Sequence, residues 1–402
     1  MEKAIIDKVY QNHIKIITNL KPEFRRDFID EIDFSERMIA LKGARGVGKT
    51  TLLLQYIKEQ FKTSTEALYI SMDSLQVSNL SIYEIAEYHS LHGGTHLFVD
   101  EIHKYPNWSI ELKNIYDGLQ NISVVFSSSS ILQIYNGYAD LSRRVVTYQL
   151  NGLSFREYVE IETKIKLPKY TLANILENHE QIAATLLQQI KPFVHFKTYL
   201  EYGYYPFYLQ SKKTYFQKID NVINVILEVD LPYILDINIH NVNKLKRLIK
   251  IIAGAVPFQP NITKLAETIG VTRNTATQYL YYLHKAEIIN MLINVTKSYS
   301  QLTKPEKIFL QNPNFCYALN EQPVNIGTVR EVFFYNQVAA RAAVHHSKEA
   351  DFLVNEKYIF EVGGANKSYA QILGIENSFL AVDDIEIGHK NKIPLWLFGF
   401  LY

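Results

Sequence analysis

Cysteine is almost missing from this chain. Cys316 is the only one in 402 residues, so no intrachain disulfide can form. That fits a reducing compartment, and Cys316 is expected to act as a small core residue. Also missing is any run of about 18 uncharged apolar residues, the length a membrane-spanning helix needs. Residues 1–21 mix Glu2, Lys3, Asp7, Lys8 and His13 among their apolar positions and leave no secretory apolar block. An excess of one charge is absent too. With 42 Lys and Arg against 41 Asp and Glu, the net charge is +1. No global field attracts nucleic acid, membrane or acidic partners, so any such surface is local. No internal repeat or low-complexity tract appears. The expectation is a soluble, cytoplasmic chain without a membrane partner.

What is present is ordinary globular material. Hydrophobic residues make up 47% and charged residues 21%, and the length implies two to four domains. Helical spacing marks residues 4–20 and 22–32 as a lead-in. Short apolar runs at 37–41, 67–72, 97–99, 123–126 and 145–150 then alternate with helical stretches at 50–61, 81–88 and 110–119. Apolar strands alternating with helices predict a parallel sheet covered on both faces. From about 154 to 256 the pattern is helical, interrupted at Gly203-Tyr204-Tyr205-Pro206. A helix-turn-helix rhythm follows. After about 305 come short strands, a helix near 328–344, and an apolar C-terminal stretch.

The first run ends in Gly43-Ala44-Arg45-Gly46-Val47-Gly48-Lys49-Thr50, a full match to G-x-x-x-x-G-K-[ST]. Glycines let backbone N–H groups close around phosphate oxygens, and the helix that follows adds its positive end. Residues Gly43, Ala44, Arg45, Gly46, Val47, Gly48, Lys49, Thr50 and Thr51 are therefore expected to hold ATP. Lys49 should reach the β- and γ-phosphates, and Thr50 should ligate Mg²⁺. About fifty residues on, Leu97-Phe98-Val99 ends in Asp100-Glu101. Alone, this reads as a solvated strand end. Paired with the phosphate loop, it makes Asp100 a Mg²⁺ ligand and Glu101 the group that polarises the attacking water. Ser127, at the start of Ser127–Ser130, either holds that water or simply closes a strand-to-loop turn. Asn107 and Trp108 are expected to pack or to orient their loop.

These residues resemble the AAA-type ATPases, and more narrowly a bacterial and archaeal group of them. That group carries Gly-x-Arg-x-x-Gly-Lys-Thr-Thr-Leu-Leu, matched at 43–53. It also carries an Asp-Glu strand with an aromatic-rich segment, matched at 100–108. A Ser-rich strand end, Leu-x-x-Arg and a Leu-Ser-Phe-x-Glu-Tyr box match at 127–130, 141–144 and 153–158. The resemblance implies an α/β fold: an ATPase core over 1–153, a helical lid over 154–255, a winged helix over 256–312 and a PD-(D/E)XK nuclease-like domain over 313–402. It makes Arg144, or its neighbour Arg143, a candidate arginine finger or sensor, whose fixed fork suits charge on a γ-phosphoryl group. Assembly into oligomers is an implied possibility, because such sites often borrow an arginine from a neighbour.

Within the helix-turn-helix stretch, Gly270 marks the turn and Thr272 the next helix cap. Ala276, Leu280 and Leu283 form that helix's apolar face. Arg273, Asn274, Thr275, Thr277 and Gln278 point outward, where they can reach base edges. Residues 261–305 carry five cations (Lys264, Arg273, Lys285, Lys297, Lys304) against Glu267 and Glu287, a net +3. DNA is thus a candidate partner, and a pure packing module is the alternative. Further on, Asp351 and Glu361 are separated by one hairpin and can converge on a metal ion, with Glu331 on the preceding helix. The nuclease signature Glu-x-Lys reads Glu361-Val362-Gly363 here, so the lysine is missing from its place, and Lys367 lies four residues beyond. The metal pair is expected to be vestigial. Three functions stay open: ATP hydrolysis that moves the lid and C-terminal modules, with DNA as candidate substrate; a nucleotide-dependent switch that binds a protein partner with little turnover; and an ATP-regulated nuclease.

Overall fold

The structure, a computed structural model, describes residues 2–74, 80–128, 141, 143–232, 239–255, 257, 259–295, 304–320 and 323–402. They fall into two compact units, 1–151 and 152–402.

The first unit contains α1 (Glu2–Asn19), β1 (Met38–Lys42), α2 (Lys49–Gln60), β2 (Ala67–Ser71), α3 (Ile82–Leu91), β3 (His96–Asp100), α4 (Trp108–Gly118), β4 (Ser123–Ser128) and β5 (Val146–Gln149). The strands form one sheet in the order β2-β3-β4-β1-β5, and every pairing is parallel. β1 to β4 carry buried apolar residues on both faces, as a sheet covered twice requires. Met38, Ala40, Leu68, Ile70, Leu97, Val99, Val124 and Phe126 share one core with Ile6 and Val9 of α1, Ile85 of α3 and Leu112 of α4. The alternate positions face the other way, where Tyr56 of α2 lies against Phe98 at 6.0 Å. The order β4-β1 places β1 between strands that follow it in sequence. The connections therefore switch sides there, and such a switch point opens a crevice at the carboxyl ends of the strands.

The expected helix over 22–32 is only a 3₁₀ turn, Asp27–Glu31. The buried Arg26 keeps an extended backbone (φ −79°, ψ 131°). Its guanidinium donates to the carbonyls of Val47 (3.3 Å) and Asn151 (2.8 Å). These contacts replace helical ones, so this segment is a brace behind the glycine loop.

The second unit contains α5 (Phe155–Thr163), α6 (Leu172–Leu187), α7 (Pro192–Thr198), α8 (Tyr215–Val225), α9 (Ile239–Ala253), α10 (Ile262–Ile269) and α11 (Arg273–Lys285). Next come β6 (Ile289–Leu292), β7 (Lys307–Leu310), α12 (Pro313–Leu319), α13 (Ile326–Ala339), β8 (Val344–His346), β9 (Phe352–Val354), β10 (Tyr358–Gly363), β11 (Ser378–Val382) and β12 (Lys392–Pro394). β6 and β7 pair antiparallel, and the last five strands form a sheet in the order β12-β11-β10-β9-β8. That sheet is mixed: β8, β9 and β10 run antiparallel, while β10, β11 and β12 run parallel.

The three expected segments 154–255, 256–312 and 313–402 are joined in this one unit by shared buried residues. Phe155 sits 5.5 Å from Tyr199 and 6.1 Å from Phe400, and Tyr199 sits 5.9 Å from Phe333. A Cβ on Gly399 would come within 2.4 Å of Phe155 Cβ. Gln311 donates to the Tyr204 hydroxyl (3.0 Å) and Asn314 to the Leu200 carbonyl (2.8 Å). The Leu-Ser-Phe-Arg-Glu-Tyr box at 153–158 belongs here. Ser154 Oγ (2.7 Å) and Arg156 Nε (3.0 Å) both donate to the Tyr402 carbonyl. Glu157 closes a capping box with Ser154. The box fastens the two ends of the unit together.

Candidate functional site

The carboxyl end of β1 runs into the glycine loop, and the loop into α2. Gly46 (φ 88°) and Gly48 (φ 99°) take left-handed backbone, which only glycine adopts without cost. Gly43 meets a different demand: a Cβ there would lie 2.3 Å from the Leu150 carbonyl oxygen. Leu150 N–H in turn donates to the Lys42 carbonyl at 2.8 Å, so the loop's first residue is pressed against the chain leaving β5. Ala44 and Val47 are buried beneath the loop, and Thr51 is exposed on α2. No side chain caps α2, so its first N–H groups remain for an anion. Lys49 is buried, and its ammonium donates to the carbonyls of Gly43 (2.8 Å) and Ala44 (2.9 Å).

Parallel register brings the acids alongside. Asp100 ends β3 beside Ser71 of β2, and it is buried. Its Oδ2 accepts from Thr50 Oγ1 at 2.7 Å and from the Tyr69 hydroxyl at 3.0 Å. Burial and the Asp100 carboxylate keep the Tyr69 phenol protonated far above its usual range. Asp100 Oδ1 accepts from Ser127 Oγ, and that same oxygen accepts the Glu101 N–H at 3.2 Å. Ser127 thus braces the pair of acids. Ser129 and Ser130 lie outside the described residues.

Glu101 has φ 53°, an unusual left-handed value for a non-glycine residue at a functional turn. Its Oε2 lies 3.5 Å from His103 Nε2, and His103 Nδ1 lies 3.0 Å from Ser128 Oγ. Tyr69, His103 and Ser128 carried no signal of their own in the sequence beyond a histidine two residues past the acids. Asn107 (φ 60°) starts α4, and Trp108 packs on Phe126 at 5.9 Å.

Thr50 and Asp100 offer only hard oxygen donors, as Mg²⁺ prefers. That ion is ordinarily held by one or two protein oxygens plus the phosphates. Among the described residues, no group of three or more His, Cys, Asp or Glu is placed to hold a metal. The donor set therefore fits Mg²⁺ brought with a nucleotide.

Arg144 lies away from the loop of its own chain. β5 runs parallel to β1, with Val146 beside Ile39. Arg144 therefore sits where the strands begin, and the loop sits where they end, roughly 16 Å away at about 3.3 Å per residue. The guanidinium forms a two-pronged pair with Asp117 of α4, both bonds 2.9 Å. This pair holds the Asp117 carboxyl below its usual range. Ser142, part of the same motif, lies outside the described residues.

In the second unit, Thr272 caps α11 by accepting from Thr275 N–H (3.2 Å), Gly270 is left-handed (φ 69°), and Ala276, Leu280 and Leu283 are buried. Arg273 and Asn274 are exposed, while Thr275, Thr277 and Gln278 are half-buried. Lys297 and residues 298–303 lie outside the described residues.

Asp351 and Glu361, the expected vestigial pair, each meet a lysine. Asp351 pairs with Lys307 (3.2 Å) and accepts the Val362 N–H (3.0 Å). Glu361 pairs with Lys367. A Cβ on Gly363 would lie 2.8 Å from the Lys367 side chain, so the lysine stem crosses the space left by that glycine. Both carboxylates thus face an ammonium group. Beside them, Glu331 Oε2 and Glu361 Oε2 are buried without a hydrogen-bond partner. Burial, then the neighbouring Asp351, raises Glu331 from 4.5 to about 7. An acid with a raised folded pKa stabilises the fold less as pH rises through the window between those values. Glu331→Gln removes that penalty. Thermal unfolding should show it equal to the parent at pH 4 and more stable at pH 8, by about 1–3 kcal/mol. Equal stability at both pH values would contradict the closed cluster.

Residues 35–159 match the family described as "AAA domain". Residues 194–324 match one described as "Domain of unknown function (DUF8612)". An uncharacterized protein of Methanocaldococcus jannaschii is 27% identical over 390 residues, covering 89% of this chain and 82% of its own length. Among solved structures, a Walker-type ATPase of Pyrococcus abyssi aligns with a TM-score of 0.41 at 11% identity, covering 75% of this chain and 99% of that one. AMPPCP-bound DnaA from Aquifex aeolicus aligns at 0.25 and 14%, covering 67% and 86%. The first unit is thus an AAA-type P-loop domain by family match and by its five-stranded parallel sheet. No helix among the described residues is long and apolar enough to cross a membrane.

Proposed function

We propose that residues 1–151 bind ATP with Mg²⁺ and hydrolyse it, and that turnover drives rearrangement of residues 152–402, with DNA as the candidate substrate through α10 and α11. The observation that carries the reading is the 2.7 Å bond from Thr50 to Asp100 beside the buried Lys49. A phosphate-loop hydroxyl and a strand-end carboxylate meet there, the two groups that would hold Mg²⁺, which would supply neutralising charge.

The bound MgATP supplies the phosphoryl group and the neutralising cation. The chain supplies the rest. Backbone N–H groups of 43–50 cradle phosphate oxygens. The Lys49 ammonium leaves two carbonyls and transfers its hydrogen bonds to phosphate, an exchange of like for like with a charged acceptor gained. Asp100, fixed by Tyr69 and Ser127, orients the cation site. Glu101 accepts a proton from the attacking water. Arg144, remote in its own chain, can serve only a neighbouring subunit's phosphates. The five-stranded mixed sheet is read as nuclease-derived and closed by Lys307 and Lys367.

The deciding experiment is release of inorganic phosphate from ATP, with Mg²⁺ and with the metal chelated by EDTA. Hydrolysis is expected with Mg²⁺ and background release with EDTA. Nucleotide binding without release would instead leave a switch that works through occupancy alone.

A further inference from the structure

We infer that His103 is the positioning residue for Glu101, the middle of a chain that runs from a hydrogen bond with Ser128 through the imidazole to a 3.5 Å contact with the Glu101 carboxylate. The inference rests on Glu101 serving as the base proposed above.

The geometry comes first. His103 sits on the 3₁₀ turn Ile102–Lys104 that follows Glu101, and it is buried. One ring nitrogen, Nε2, lies 3.5 Å from Glu101 Oε2, and the other, Nδ1, lies 3.0 Å from Ser128 Oγ. A lone pair on Nε2 would repel a carboxylate, so the tautomer that fits carries its proton on Nε2 and accepts the Ser128 hydroxyl at Nδ1. Ser128 stands next to Ser127 at the end of β4. The two serines therefore hold Glu101 at both ends. Ser127 takes its backbone N–H, and Ser128, through His103, takes its side chain.

Electrostatics keeps this arrangement useful. Burial, then Lys104, Lys49 and Arg45, push His103 down to about 4, opposed by Asp73. A neutral imidazole turns an N–H, and not a charge, toward the Glu101 carboxylate.

The test uses the full chain. His103→Ala is expected to lower kcat for ATP about 10- to 100-fold, the usual penalty for a misplaced catalytic group, with KM and the MgATP-induced melting shift unchanged. His103→Gln, whose amide can donate to Glu101, should recover most of the loss. In the nucleotide-free protein, imidazole ¹⁵N spectra should show one histidine, absent from His103→Gln, in the Nε2–H form from pH 8 to pH 5. That signal should move in Glu101→Gln. Equal kcat in His103→Ala and parent, in a protein whose Glu101→Gln variant is inactive, overturns the inference alone. A His103 that protonates above pH 6, or one indifferent to Glu101→Gln, overturns it too. Absence of turnover in the parent would sink the proposed hydrolysis instead.

Discussion

Replacing Glu101 by Gln is expected to leave ATP binding intact and to cut hydrolysis by roughly 10²–10⁴-fold, the usual worth of a positioned base. The substitution keeps side-chain size and removes the acceptor's charge. Binding should survive because the substitution leaves the loop's backbone N–H groups and Lys49 in place, while the Glu101 backbone N–H bonds Ser127 and its carboxylate lies by His103. The checks are phosphate release at saturating MgATP and nucleotide affinity measured on the same preparation. Equal turnover in variant and parent would remove Glu101 from the chemistry and leave a protein that responds to nucleotide without needing this base.

Replacing Lys49 by Ala is expected to abolish stabilisation by MgATP. A ligand at 100 times its Kd raises folding stability by about 2.7 kcal/mol, readily seen as a melting shift, and the variant should show none. The comparison has to be made on the shift, not on the melting temperature. In the free protein Lys49 is itself structural, because its ammonium satisfies the carbonyls of Gly43 and Ala44. Its loss leaves those buried acceptors short of a donor, which destabilises the fold by about 1–3 kcal/mol before nucleotide is added. A full MgATP shift in Lys49→Ala would place the nucleotide elsewhere.

The nucleotide half of the molecule was legible because its signals are local. A glycine pattern at fixed spacing and a strand ending in two acids each state their own geometry, and the sheet closes the distance between Thr50 and Asp100. The supporting groups were not legible. Tyr69 looks like any strand aromatic, and it reaches Asp100 only because β2 and β3 pair in a register set by the whole sheet. The position of Arg144 was illegible for the opposite reason. Its motif is local, but its address depends on the direction of β5, which puts it at the far edge. In the second unit, helix caps at Thr272 and Gly270 could be read residue by residue. The lysines that close on Asp351 and Glu361 could not, since Lys307 comes from a strand 44 positions earlier and Lys367 from beyond a glycine whose emptiness only the fold reveals. The short helix α12 was overlooked although Asn312 and Pro313 announce it. Asn312 accepts from Phe315 N–H, and Pro313 occupies the first helical position.

The absence of any side chain at residue 43 has a mechanical corollary. Backbone lies directly on backbone there, Gly43 against the carbonyl of Leu150, with Leu150 stitched to Lys42. Any displacement of the loop at that point meets the peptide of residue 150 with no side chain between to absorb it.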